Sequence, residues 1–317
     1  MASPDSSRIS AYTPTARERV AAMLEPAVLL SKAMYHYVVV CLEAVFKRGE
    51  VLAPVLSAKR KRLRDEAFGR FWLEFSAQPQ RQPQQENDNG SDKTESPSPP
   101  VGSAALIPPL LATASGVVLD IGPGSGTQMP LLRSPAIRAI YGAEPCVDLH
   151  DELRARAAAA GLQDKYHVLP CSVEKKALVP ELEKHGIAVP EPGSGEEGVF
   201  DTIICVRVLC SVPDPDRTIA DLYDLLRPGG RMLVTEHVVN PWRTRKGSFV
   251  ARAVQAVYEM LGWSFFVGDC HMDRDTAASL RRAADKDGGW ESVELESSFG
   301  WSPMPYISGT LVKKGRK

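Results

Sequence analysis

From residue 104 onwards, short apolar runs alternate with stretches whose apolar positions recur at helical spacing. The run 117–121 is too short for a helix and ends in a glycine-rich turn, so it reads as a strand. Residues 137–142 are a second such run. A helical pattern over about 147–160 follows, closed by Gly161 in the manner of a C-cap. Tyr166–Leu169 and Phe200–Val206 read as the third and fourth strands. A helix over about 215–226 stops at Arg227-Pro228-Gly229-Gly230, and 231–236 makes a fifth strand. This βαβ rhythm predicts an α/β fold, a parallel sheet with helices on both faces. Ligands then bind beyond the carboxyl ends of the strands.

Upstream the pattern changes. Residues 1–14 read as a disordered N-terminus and 15–77 as a helical extension, with apolar positions at Val20, Met23, Leu24, Val28 and Leu30, then Leu63, Phe68, Phe71 and Trp72. Segment 27–46 has the ~20 residues that a membrane span needs, but Lys32, His36 and Glu43 interrupt it. It is expected to be an amphipathic helix packed on the main domain, with an interfacial anchor as the alternative. The cluster Lys59-Arg60-Lys61-Arg62-Leu63-Arg64 reads as a solvated helix face, with a nuclear signal or a lipid-headgroup patch as alternatives. Residues 78–103 are Gln-, Pro- and Ser-rich and cannot bury enough apolar surface to offset ordering entropy, so a disordered tether is expected before the domain at 104–317.

Composition narrows the partners. Of 317 residues, 44% are apolar and 24% charged, and the net charge is −1, so no global field draws the chain to nucleic acid. A small-molecule partner is expected, with no nucleic acid. The cysteines, at 41, 146, 171, 205, 210 and 270, form no C-x-x-C pair and have no His at zinc-ligand spacing. Several lie in apolar runs, where free cysteine acts as a small hydrophobe. A reducing compartment and no metal are expected. The polar start, 1–10, predicts no secretory signal. The expected location is cytoplasmic, with peripheral attachment to the cytosolic face of an internal membrane through residues 20–76 as the open alternative.

The segment Asp120-Ile121-Gly122-Pro123-Gly124-Ser125-Gly126-Thr127 carries the most specific chemistry. Its glycines let the backbone turn tightly against a ligand. A dinucleotide fingerprint would have Gly or Ala where Thr127 stands, and Pro123 removes an N–H that a pyrophosphate would use. The pattern D-x-G-x-G-x-G instead resembles motif I of the class I S-adenosylmethionine-dependent methyltransferases. That resemblance implies a Rossmann-like, doubly wound, mainly parallel seven-stranded sheet and S-adenosyl-L-methionine as cofactor. It further implies that Asp120, Gly122, Gly124 and Gly126 meet the cofactor's amino-acid moiety. Glu144, ending the second strand, would hold the ribose hydroxyls in charge-assisted hydrogen bonds. Ser172 would lie on the adenine side, and Val206 at the end of strand four completes the set. Leu225 to Arg231 is a further hallmark of the family, with a structural role.

The segments FDTIICVRVLCSVPDPDRTIADLYDLLRPGGRMLVTEHV and GWSFFVGDCHMDRDT, with the tail SSFGWSPMPYISGTLVKK, are similar to the membrane-associated thiol methyltransferase-like family, methyltransferase-like 7. The resemblance implies methylation of small alkyl thiols. A secondary-metabolite hydroxyl is the alternative acceptor, and a non-catalytic, cofactor-binding assembly factor is a reading from another class. No Asn/Asp-Pro-Pro-aromatic turn follows strand four, where the chain reads Cys205-Val206-Arg207-Val208, so amino groups of nucleic acids are disfavoured as acceptors. The catalytic candidates are His237, whose imidazole titrates near neutrality and ends strand five, and Asp269 in Asp269-Cys270-His271. That cluster either lines the acceptor pocket or caps the helix beginning near Asp273.

Overall fold

The computed structural model describes residues 14–77, 102–190 and 198–315. The tether expected at 78–103 lies outside the described residues as far as 101, and Gly102 and Ser103 already belong to a 3-10 turn, Gly102–Leu106. The elements run α1 (Ala16–Phe46), α2 (Ser57–Ala77), α3 (Ile107–Leu111), β1 (Gly116–Ile121), β2 (Ile137–Ala143), α4 (His150–Ala159), β3 (Tyr166–Leu169), α5 (Lys175–Lys184), β4 (Phe200–Val206), α6 (Pro215–Leu225), β5 (Leu226–His237), α7 (Phe249–Met260), α8 (Trp263–Phe266), α9 (Thr276–Arg282), β6 (Ser292–Ser298) and β7 (Tyr306–Val312).

The sheet has seven strands in the order β3-β2-β1-β4-β5-β7-β6. Strands β1 to β5 are mutually parallel, and β7 enters antiparallel between β5 and β6. The order reverses between β1 and β4, which opens a crevice above their carboxyl ends. Successive residues of each strand serve opposite layers. Leu119, Ile203 and Val234 join one core with Leu178, Leu182 and Leu222. Val118, Ile204 and Leu233 join the other with Leu110, Leu111 and Leu153.

Local chemistry explains the helix ends. Asp214 accepts from the amide of Arg217 at 3.1 Å to start α6, with Pro215 at its first position. Thr15 and Glu18 form a reciprocal capping box at the start of α1. One boundary differs from the sequence reading. Strand β5 begins at Leu226 rather than 231, because Leu226 already pairs with Phe200 and the register then slips before Thr202 meets Arg231. The Pro-Gly-Gly segment is a bulge held by Lys313, whose carbonyl accepts from Gly229 and whose amide donates to Gly230.

The N-terminal helices form a cap. Leu30 and Ala33 of α1 and Phe71 of α2 pack with Cys210, Tyr258, Trp263, Val267, Cys270 and Met272 in a third apolar cluster. Arg64 clasps Asp269 with two hydrogen bonds, at 2.8 and 2.6 Å. The opposite side of α1 stays open: Val20, Leu24, Val28, Tyr35, Val38, Leu42 and Phe46 are all more than half exposed. Phe71 is fully buried between Phe68 and Phe75. Phe71→Ala should therefore cost about 3–5 kcal/mol, the usual loss for an aromatic truncated in a core. Hydrogen exchange in α1 and α2 and chemical denaturation measure it; wild-type stability would mean the cap is not packed as described.

Candidate active site

Three loops leave the carboxyl ends of β1, β2 and β4, and their amides need partners. Glu144, 5% exposed, supplies two of them. Its carboxylate accepts from the amide of Gly124 at 2.8 Å and from that of Cys146 at 2.9 Å, so one side chain ties the first two loops together. His150 bonds the carbonyl of Glu144 at 2.8 Å. Burial pushes the Glu144 carboxyl above its ordinary range against the pull of those amides.

Gly122 and Gly124 both adopt left-handed backbone angles, φ 57° and 60°. A methyl group added at Gly122 would stand 2.4 Å from Cγ2 of Val208, and one at Gly124 would stand 2.6 Å from Nε1 of Trp72. The loop thus needs glycine twice over, for conformation and for space. The second contact shows that α2 lies directly on the glycine loop. Ser125, 1% exposed, hydrogen-bonds Ser76 of α2 at 2.8 Å.

Asp120, 5% exposed, receives the Tyr166 hydroxyl at 2.9 Å. Burial, with the neighbouring Glu144, pushes it up to about 7 against the Tyr166 hydrogen bond. Its nearest role is to fix the sheet edge beneath the loop. Ser172 bonds Glu174 at 3.2 Å in the turn after β3. Val206 ends β4 and packs on the second core. Asp120, the glycines, Glu144 and Val206 gather where β1, β2 and β4 end, and Ser172 follows β3, the strand beside β2.

The loop after β4 depends on Glu236, which the sequence reading did not single out. This fully buried carboxylate accepts from the amides of Val208 and Leu209 at 2.9 and 3.0 Å through one oxygen. Burial raises it to about 7. Arg207 turns the chain with φ 58°, reaches Ser103 at 2.8 Å and lies over the ring of Tyr306. The acid directly before His237 was the available signal for Glu236; Arg207 and Trp72 had none.

His237, 3% exposed, places Nε2 2.9 Å from Sγ of Cys270, and its Nδ1 has no partner among the described residues. Burial opposes its charged form, but Cys210 and Glu236 outweigh that and shift it upward. Asp269 does not join it. The Asp269 carboxylate belongs to Arg64, and the cap of α9 is Asp275 rather than the 269–271 cluster.

Parts of the chain are similar in sequence to known proteins. The profile of a methyltransferase domain family matches residues 100–295. Thiol S-methyltransferase TMT1B of Mus musculus is 34% identical over 118 residues, which are 36% of this chain and 44% of that protein. A ubiquinone biosynthesis O-methyltransferase of Xanthomonas euvesicatoria is 32% identical over 125 residues, 39% of this chain and 44% of that protein. The chain thus spans less than half the length of these relatives. Among solved structures, an O-methyltransferase family protein from Burkholderia thailandensis aligns with 93% of this chain and 71% of its own, at 12% identity and a TM-score of 0.45.

The Asp120 environment has a measurable consequence. In the folded chain its carboxyl keeps its proton up to about pH 7, whereas unfolded it ionises near pH ~4. Between those limits the unfolded chain holds fewer protons, so stability falls as pH rises. Asp120→Asn keeps an acceptor for Tyr166 and removes that loss. The variant's Tm advantage, by calorimetry, should be larger at pH 8 than at pH 5; an advantage that does not change with pH contradicts the buried, proton-holding Asp120.

Proposed function

The chain belongs to the methyltransferase domain family, and on that premise we propose that this S-adenosylmethionine-dependent methyltransferase acts on a small-molecule thiol. The residues at the crevice suit the cofactor: a glycine loop in which a Cβ would collide, beside a buried carboxylate. When bound, S-adenosylmethionine supplies an electrophilic methyl group on a sulfonium centre. We assign the glycine loop to its amino-acid end, Glu144 to the ribose hydroxyls and Ser172 to the adenine side. Glu144 spends one bond per oxygen on Gly124 and Cys146, and an ionised carboxylate has about four acceptor sites, so two remain for hydroxyl donors. Trp72 and Ser76 of α2 cover the glycine loop.

The single observation behind the thiol is the state of His237. It is the imidazole at the end of β5, and its Nε2 is already engaged by Cys270 within the apolar cluster under the cap. With Nε2 engaged and the ring only 3% exposed, we read it as packed away from the acceptor rather than as its base. A thiol needs no such base, because a few per cent is thiolate at neutral pH and sulfur is strongly nucleophilic. A hydroxyl acceptor would forgo the ~10²–10⁴-fold that a positioned base contributes. The likeness to a thiol S-methyltransferase supports the same reading. Held by the glycine loop and Glu144, the cofactor would supply its methyl group to the acceptor sulfur, with the thiol proton passing to solvent.

We also read the exposed face of α1 as a docking surface for a membrane. Among the described residues, α1 is long and apolar enough to cross a bilayer. Its inner side is committed to the cap, however, so it would lie along the interface. Lys59, Arg60, Lys61 and Arg62 stand exposed at the start of α2 beside it, where anionic headgroups would meet them.

Glu144→Ala should weaken S-adenosylmethionine binding by roughly 1.5–3 kcal/mol, the scale of hydrogen bonds to a charged group; wild-type affinity by calorimetry would remove Glu144 from the ribose. With isotopically labelled cofactor, label should pass to small thiols, at a rate that climbs with pH towards a thiol pKa of about 8.5. Transfer to phenols or amines alone would overturn the acceptor assignment. Co-sedimentation with anionic liposomes should be strong at low salt and fall as salt rises. Protein left wholly in the supernatant at low salt would exclude the docking surface.

A further inference from the structure

Cys210, His237 and Cys270 come from three separate stretches of chain. Cys210 lies in the loop after β4, His237 is the last residue of β5, and Cys270 lies in the loop between α8 and α9. The fold brings them together at the carboxyl edge of the sheet, beneath the N-terminal cap. One ligand-type atom from each, Sγ, an imidazole nitrogen and Sγ, lies within 4.8 Å of the other two, and all three residues are buried. We propose that they form a binding site for a soft divalent cation of the zinc class.

The donor set supports this. Two thiolates and an imidazole are the ligands that zinc prefers over hard cations, at about 2.3 Å from sulfur and 2.0–2.1 Å from nitrogen. Such distances fit a triangle whose corners lie within 4.8 Å of one another, after a small widening of the 2.9 Å His237–Cys270 contact. The indole N–H of Trp263 reaches Sγ of Cys270 at 3.3 Å, the outer hydrogen bond that a metal-bound thiolate accepts.

Charge balance points the same way. Two thiolates and a dication sum to zero, which suits an apolar cluster and tolerates Arg207, turned aside to Ser103 and Tyr306. Simple core packing explains two buried cysteines. It does not explain a buried histidine in contact with them. Three protein ligands leave a fourth coordination position, the arrangement of zinc sites that take up a small ligand. Binding displaces two thiol protons to solvent and involves no redox change.

The test uses the full chain, purified with reductant, stripped with chelator and titrated with cobalt(II). A thiolate-to-cobalt charge-transfer band with tetrahedral visible bands, saturating at one equivalent, is expected. It should vanish in Cys210→Ser/Cys270→Ser, with S-adenosylmethionine binding retained as evidence of folding. If that variant does not fold, X-ray absorption of the zinc-loaded wild type decides instead. A shell containing two sulfurs supports the site, and a shell of oxygen and nitrogen alone overturns it. Absence of the band in folded wild type with free thiols, or a Cys210–Cys270 disulfide in its place, also overturns it. None of these readings depends on which acceptor is methylated.

Discussion

Loops that leave the carboxyl edge of a parallel sheet carry backbone N–H groups that the sheet itself does not satisfy. Here buried carboxylates satisfy them. Glu144 joins the loops after β1 and β2, and Glu236 holds the loop after β4. Each acid is costly to bury alone and becomes tolerable because it is hydrogen-bonded. The geometry of the crevice follows, since removing either acid frees a loop that shapes it. Asp120 and Tyr166 lock the floor of the same edge.

The N-terminal helices complete the arrangement. Their inner side places Trp72 on the glycine loop, Phe71 in the apolar cluster and Arg64 on Asp269. Their outer side leaves a row of large apolar residues in the open, where an ordinary soluble helix would carry charge. One helix pair therefore links the enclosure of the site to the character of the surface. A membrane that engages α1 would act on the partner of the helix that covers the glycine loop.

The region beneath the cap combines soft and apolar groups. Cys210, Cys270, Trp263 and Tyr258 would make an unremarked core without His237. The imidazole at the end of β5 changes what that cluster can hold, because it adds a nitrogen donor to two buried sulfurs.

The alternation of apolar runs determined the parallel core, and it did so because strand and helix periods differ and each run is long enough to show its own. The D-x-G-x-G-x-G turn and Glu144 were legible for a similar reason: their chemistry is local, and glycine stands where any Cβ would collide. Where β5 begins was not legible, because Leu226 pairs with a strand already laid down and Lys313 holds the bulge from the far end of the chain. Nor did spacing reveal that Asp269 serves Arg64, 205 residues away. Cysteine spacing could not bring Cys210, His237 and Cys270 together, because it compares near neighbours only and these three meet through separate loops. Contacts between residues close in sequence are written in the pattern of the chain; those closed by long loops exist only once the sheet and cap have formed.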